Sequence, residues 1–216
     1  MRPLSPATPE RPRAAGPAGP FTQDSPRLRA LRARPPRDYE ARTFYHDPAF
    51  RVETVKIMPG EYFVHDADDL MLMTVLGSCV AACLVDRSAR IGGMNHFMLP
   101  DGGAAGRYGV YAMELLINEM MKRGGQVMRN FSAMNVGEQN VAFVEQFLAD
   151  ERITIVSRDV LDVHPRKVCL FPGSARALVK KLAATQADSV ATEESAYRGR
   201  LQERPVSAGA GSVELF

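Results

Sequence analysis

The sequence predicts an α+β fold in a single domain: layered mixed β-sheets with two principal helices packed outside. Two observations point to it. Continuously apolar runs of strand length crowd the first half of the central region, as strands covered on both faces do. The hydrophobic period then changes to that of amphipathic helices before strands return. A doubly wound sheet or a barrel would not give this order.

Composition divides the 216 residues into three zones. Residues 1–40 hold eight Arg and nine Pro against four acidic residues, so residues 1–50 read as a disordered Pro/Arg-rich arm. Residues 51–183 carry the fold. From Thr185 the chain turns small and polar, with Thr-Glu-Glu-Ser and then Ala-Gly-Ala-Gly-Ser, so residues 184–216 read as a flexible C-terminal tail.

Within the fold, residues 52–58 form a first strand, closed by the turn pair Pro59 and Gly60, and residues 62–64 resume it as a hairpin. Residues 70–76, 80–85 and 91–99 are three buried strands, separated by Gly77 and Ser78 and by a polar turn. Met113, Leu116, Ile117, Met120 and Met121 fall at helical spacing, with Gly124 placed as a C-cap. Residues 138–149 form a second helix around Val141, Val144 and Leu148. Strands at 153–156, 168–171 and 177–182 complete the domain.

Several function classes are excluded as expectations. No apolar stretch reaches the roughly 18 residues of a membrane span, and no apolar leader segment opens the chain. The basic arm has only Phe21 and Tyr39 as aromatics, too few for a stacking platform, so no nucleic-acid partner is expected. Three cysteines without framework spacing fit reduced thiols and a cytoplasmic location.

Cys79 follows the small pair Gly77 and Ser78 and precedes a buried strand. A nucleophile at such a turn is presented by a rigid element, and the free N–H groups of the turn can face a developing oxyanion. A thiol with an ordinary pKa of about 8.5 is mostly protonated at neutral pH, so an activating imidazole is required. Of four histidines, His46 ends the arm, His65 lies among Asp66, Asp68 and Asp69 in an exposed turn, and His164 precedes Pro165 in a loop. His96 alone lies inside an apolar run. A buried imidazole needs a polar partner, so His96 reads either as a core histidine satisfied by backbone or as the base. Cys83 and Cys169 read as small hydrophobes. Cys79 and Cys83 are spaced C-x₃-C, but a structural zinc needs four ligands and Cys83 lies inside a strand, so no metal is expected.

The stretch TVLGSCVAACLVDRSARIGGMNHFMLP, from Thr74 to Pro100, resembles the signature of the CheD family of chemoreceptor glutamine deamidases. MPGEY at 58–62, NVGEQN at 135–140 and HPRKV at 164–168 are also similar to that family. The resemblance covers roughly residues 52–182. It implies Cys79 as nucleophile, His96 as catalytic histidine and Thr74 as the residue orienting it, with oxyanion donors at Gly77 and Ser78. It further implies hydrolysis of glutamine amides on the cytoplasmic helices of methyl-accepting chemotaxis receptors, through a thioester and without cofactor. A CheC-type phosphatase is a further partner it implies, and a non-catalytic regulatory binding module is the alternative function. The resemblance also implies a strand between the two helices. The short run from Gly124 to Asn135 leaves either a truncated strand at 126–132 or a vacant sheet position. The terminal VELF at 213–216 is a candidate docking peptide or a frayed end.

Overall fold

The computed structural model describes residues 25–99, 105–125, 130–135, 138–160, 164–183 and 187–203. The chain divides into two units, Met1–Arg34 and Pro35–Phe216. The first contains helix α1, Pro26–Ala33, whose N-cap Ser25 accepts the Leu28 N–H through its hydroxyl while Pro26 sits where a helix needs no N–H.

The second unit carries ten strands in two five-stranded sheets among the described residues. One sheet runs in the order β1 (Thr43–Asp47), β2 (Val52–Lys56), β4 (Leu70–Leu76), β9 (Arg166–Phe171), β10 (Arg176–Lys181). The other runs β3 (Tyr62–His65), β6 (Ile91–Phe97), β5 (Val80–Asp86), β7 (Asn130–Asn135), β8 (Ile155–Val160). Each sheet is mixed: β2 and β4 are parallel in the first, β7 and β8 in the second, and the other pairings are antiparallel. This is the layered α+β architecture expected from the pattern of periods.

Helices α2 (Ala105–Lys122) and α3 (Glu138–Asp150) pack on the second sheet. Met113, Leu116, Ile117 and Met120 of α2 and Val144 and Leu148 of α3 enter one core with Tyr62, Val64, Val80, Ala82, Leu84 and Phe97. Gly93 lets α2 lie close on β6, since a Cβ there would stand 2.7 Å from Leu116 Cδ1. β6 is buried along its length and β5 from Val80 to Val85, as central strands covered on both faces must be.

Several expectations need correction. Residues 62–65 do not return as a hairpin on β2. They pair antiparallel with β6 in the other sheet, while β2 pairs parallel with β4. The Pro59–Gly60 turn thus carries the chain between sheets rather than back along one. The sheet position between the helices is filled: β7 lies at 130–135, later than the expected 126–132, and pairs with β5 from Val80↔Asn135 to Val85↔Asn130. The arm gives way to the compact unit at Pro35 rather than at residue 50, because β1 pairs with β2 and Asp47 accepts N–H groups of Ala49 and Phe50 across the turn. His65 is not in an exposed turn; it is 2% exposed and bonded to Asp69 at 3.0 Å. The stretch expected to be a flexible tail contains a 17-residue helix, α4 (Ala187–Glu203), in which Val190, Glu194 and Tyr197 are buried. Their i, i+4, i+7 spacing makes one face. With a carboxylate in the middle, that face escapes a search for apolar periodicity. The VELF terminus lies outside the described residues.

Candidate active site

The chain crosses from the first sheet to the second through Gly77, Ser78 and Cys79, the link between β4 and β5. Thr74 stands near the end of β4, just before this link, and His96 on β6 is paired with Ala81 of β5. The three residues named from the sequence therefore meet where the two sheets touch. Thr74 and Cys79 have no measurable exposure and His96 is 2% exposed.

The hydrogen bonds define the imidazole tautomer. Thr74 Oγ1 lies 2.8 Å from the Ile57 carbonyl and 2.8 Å from His96 Nδ1. A carbonyl only accepts, so the single hydroxyl proton of Thr74 goes to Ile57 and Thr74 must accept from His96. Nδ1 also lies 3.4 Å from the same Ile57 carbonyl, again a position for an N–H. Nδ1 is thus protonated and Nε2 carries the lone pair. Nε2 is buried without a hydrogen-bond partner, so its lone pair is available. Burial pushes the His96 pKa down to about 4, outweighing the pull of Glu194 and of the Ile57 carbonyl, so the ring is neutral at physiological pH.

Backbone contacts hold the ring's strand in place. The His96 N–H donates to the Glu61 carbonyl at 3.0 Å, and the His96 carbonyl accepts the Gly60 N–H at 2.7 Å. Gly60 has φ +92°, which favours glycine, and a Cβ there would stand 2.8 Å from the Tyr197 ring. The MPGEY turn noted in the sequence therefore positions the histidine strand.

The Gly77–Ser78–Cys79 turn presents three successive N–H groups, and all three point at one carboxylate. Glu194 Oε1 accepts from Gly77 at 2.8 Å and from Cys79 at 3.1 Å. Its Oε2 accepts the Ser78 N–H and the Ser78 hydroxyl, both at 2.7 Å. Such a concave run of N–H groups is an anion-binding nest. The turn is anchored from behind by Asn140 of α3, whose Nδ2 donates to the Ser78 carbonyl at 2.9 Å while its Oδ1 accepts the Leu99 N–H at 3.0 Å. Asn140 belongs to the NVGEQN motif, so its signal was present in the sequence without a role attached. Glu194 had no such signal.

The thiol and the carboxyl are shifted in opposite directions. Burial raises the Cys79 thiol pKa well above its ordinary value, and the charge and hydrogen bonding of Glu194 raise it further, while Arg198 opposes them. Burial alone would raise the Glu194 carboxyl too, but hydrogen bonds from Ser78, Cys79 and Gly77 outweigh it and hold Glu194 below the usual carboxylate range. Cys79, His96 and Glu194 offer donor atoms within 4.8 Å of one another, the spacing of a metal site. The oxygens of Glu194 already accept from the three N–H groups of the nest and from the Ser78 hydroxyl, which uses the roughly four lone-pair directions of a carboxylate. That donor set suits an anion held by N–H groups better than a cation.

A family model described as CheD chemotactic sensory transduction matches residues 98–181. A protein of Albidiferax ferrireducens named probable chemoreceptor glutamine deamidase CheD 1 is 51% identical over 193 residues, covering 82% of this chain and 81% of that protein. One of Thiobacillus denitrificans, named probable chemoreceptor glutamine deamidase CheD, is 48% identical over 197 residues and covers 82% and 96%. A protein of the same name from Methylobacillus flagellatus is 43% identical over 206 residues and covers 85% and 100%.

Proposed function

This chain belongs to the CheD family, and on that premise we propose that it is a chemoreceptor glutamine deamidase, converting receptor glutamine side chains to glutamate and ammonia. One observation carries the chemistry: a neutral imidazole with its free Nε2 beside Cys79, under a nest of three N–H groups. His96 Nε2 takes the thiol proton, and the sulfur attacks the carboxamide carbon while the nest holds the oxyanion. The protonated imidazole then gives its proton to the departing nitrogen, and ammonia leaves a thioester on Cys79. Water activated by the same Nε2 cleaves the thioester, restoring the thiol and leaving glutamate. Thr74 acts as a positioning residue by holding Nδ1 protonated, so that Nε2 always faces the chemistry.

The substrates would be glutamines on the cytoplasmic helices of chemoreceptors, reached from the cytoplasm; no described helix is long and apolar enough to cross a membrane. The filled β7 position removes the reason to favour a docking-only module, since the strand carrying the nucleophile is paired on both edges. The test is ammonia release and the amide-to-acid mass shift on a receptor cytoplasmic fragment, with Cys79→Ala in parallel. Conversion by the wild type and none by the variant is the expected result. Equal conversion by both would overturn the assignment of Cys79.

A further inference from the structure

The face of α4 that meets the site places a glutamate side chain in the nest. Its central side chain, Glu194, is 4% exposed, and burying a carboxylate is costly unless it is fully hydrogen-bonded. Here it is, by the same three N–H groups that would hold the oxyanion. A glutamate carboxylate has the shape of a glutamine carboxamide with oxygen in place of nitrogen, so Glu194 stands in this site as the product of deamidation stands. Around it the helix is held by separate points. Lys56 pairs with Glu193 at 3.3 Å, Tyr197 packs on Gly60 and its hydroxyl meets that of Tyr108, and Arg198 reaches Met98 Sδ at 3.4 Å. A cleft of about 270 Å³ remains beside the carboxylate, bounded by Gly77, Ser78 and Pro165 and by Ala191, Ser195 and Arg198.

We propose that α4 is a resident occupant of the deamidation site: Glu194 closes it in cis as a bound product, and a glutamine at position 194 is an intramolecular substrate. The inference rests on the deamidase reading. An external helix that presents a glutamine needs the same nest, so it must displace α4. In the intramolecular reaction Cys79 sulfur attacks Cδ of residue 194 and the C–N bond breaks. The nitrogen leaves as ammonia with the thiol's proton, and one water then restores the thiol and leaves Glu194. No other reactant is consumed.

The full-length Glu194→Gln chain, nearly isosteric with the wild type, tests this directly. Peptide mass spectrometry is expected to show position 194 returning to glutamate with one ammonia per chain. The rate should be first-order and independent of protein concentration, and Cys79→Ala/Glu194→Gln should retain glutamine. In a second arm, Glu194→Ala is expected to deamidate a receptor fragment about tenfold faster than the wild type, as it would if α4 leaves about a tenth of the sites open. If the Glu194→Gln chain keeps its glutamine while the wild type deamidates the receptor fragment, the inference fails and the deamidase reading stands. Conversion whose rate rises with protein concentration overturns closure in cis. If neither the introduced glutamine nor the receptor is converted, both fail together.

Discussion

The Cys79–His96–Thr74 cluster and helix α4 meet across one carboxylate, yet different forces hold them. The cluster is set where two sheets meet: Thr74 and His96 lie on almost continuously buried strands and are fixed by each other and by the Ile57 carbonyl, and Cys79 is buried in the link that follows β4. Helix α4 presents one narrow face, with Val190 and Tyr197 flanking Glu194 and an ion pair to Lys56 beside it. Moving the cluster means opening the core. Moving α4 means breaking a nest, one surface ion pair worth under about 1 kcal/mol and a few side-chain contacts. The cluster is thus held by the core, whereas α4 is held by contacts at one face.

The largest way to separate the two regions is to remove the chemistry while leaving the helix. Cys79→Ala should lower receptor deamidation on the order of 10⁴-fold or more, and Cys79→Ala/His96→Ala should be no worse, because the pair acts as a unit. Near-native thermal melting of the single variant would show that α4 and the sheets remain in place. A double variant clearly slower than the single one would break the pairing of Cys79 with His96.

Thr74→Val keeps the volume but leaves the Ile57 carbonyl and His96 Nδ1 without the hydroxyl. A buried unpaired group costs about 1–3 kcal/mol, and the same loss in orienting the ring lowers turnover by roughly ten- to a hundredfold. Thr74→Ser should restore most of the rate. Failure of serine to rescue would point to packing rather than proton placement.

Acidification separates the regions by stability. The folded state keeps His96 neutral, with a pKa lowered from the ordinary 6.5 to about 4. Its contribution is therefore fully present above about pH 6.5 and is lost as pH falls toward 4. The groups facing it are Cys79 and Thr74 from the core, Glu193 and Glu194 from α4, and Lys56 from β2. Between about pH 7 and 5 the loss should be about 2 kcal/mol in urea unfolding, and His96→Gln should flatten it. Glu194, whose pKa is also lowered, strengthens docking of α4 above the usual carboxylate range and loses that effect as pH falls through its docked value. An unchanged slope in His96→Gln would assign the acid sensitivity elsewhere.

The smallest effect is expected at the helix. Tyr197→Phe removes only the hydroxyl contact to Tyr108, worth about 0.5–1.5 kcal/mol. Alkylation of Cys79 by iodoacetamide should accelerate roughly two- to tenfold. No acceleration would mean that the Tyr108–Tyr197 contact does not hold α4 in place.

How far the sequence reaches depends on the kind of signal. The runs that became β4, β5 and β6 were legible because a strand covered on both faces must be apolar throughout, and their boundaries agree within about two residues. Cys79 and His96 stood out in the sequence as a thiol after a Gly-Ser turn and an imidazole in an apolar strand, and the structure brings the two side chains together. β1 and α4 were not legible. β1 (Thr-Phe-Tyr-His-Asp) neither alternates nor forms an apolar run, and α4 buries a glutamate where a helical stripe should hold a leucine. The placement of residues 62–65 in the second sheet was also out of reach, since a turn signal marks a break but not the sheet in which the chain resumes.

The sequence by itself therefore determined which residue types were available for chemistry and which segments had to be buried, because both follow from local pattern and from the cost of burying polar groups. The tertiary structure alone decided that Thr74 and His96, 22 residues apart and in different sheets, share one hydrogen bond. It alone brought Glu194 across 115 residues to the N–H of Cys79. Contacts of that span depend on how the two sheets and the last helix pack, and no local period encodes the partner that packing supplies.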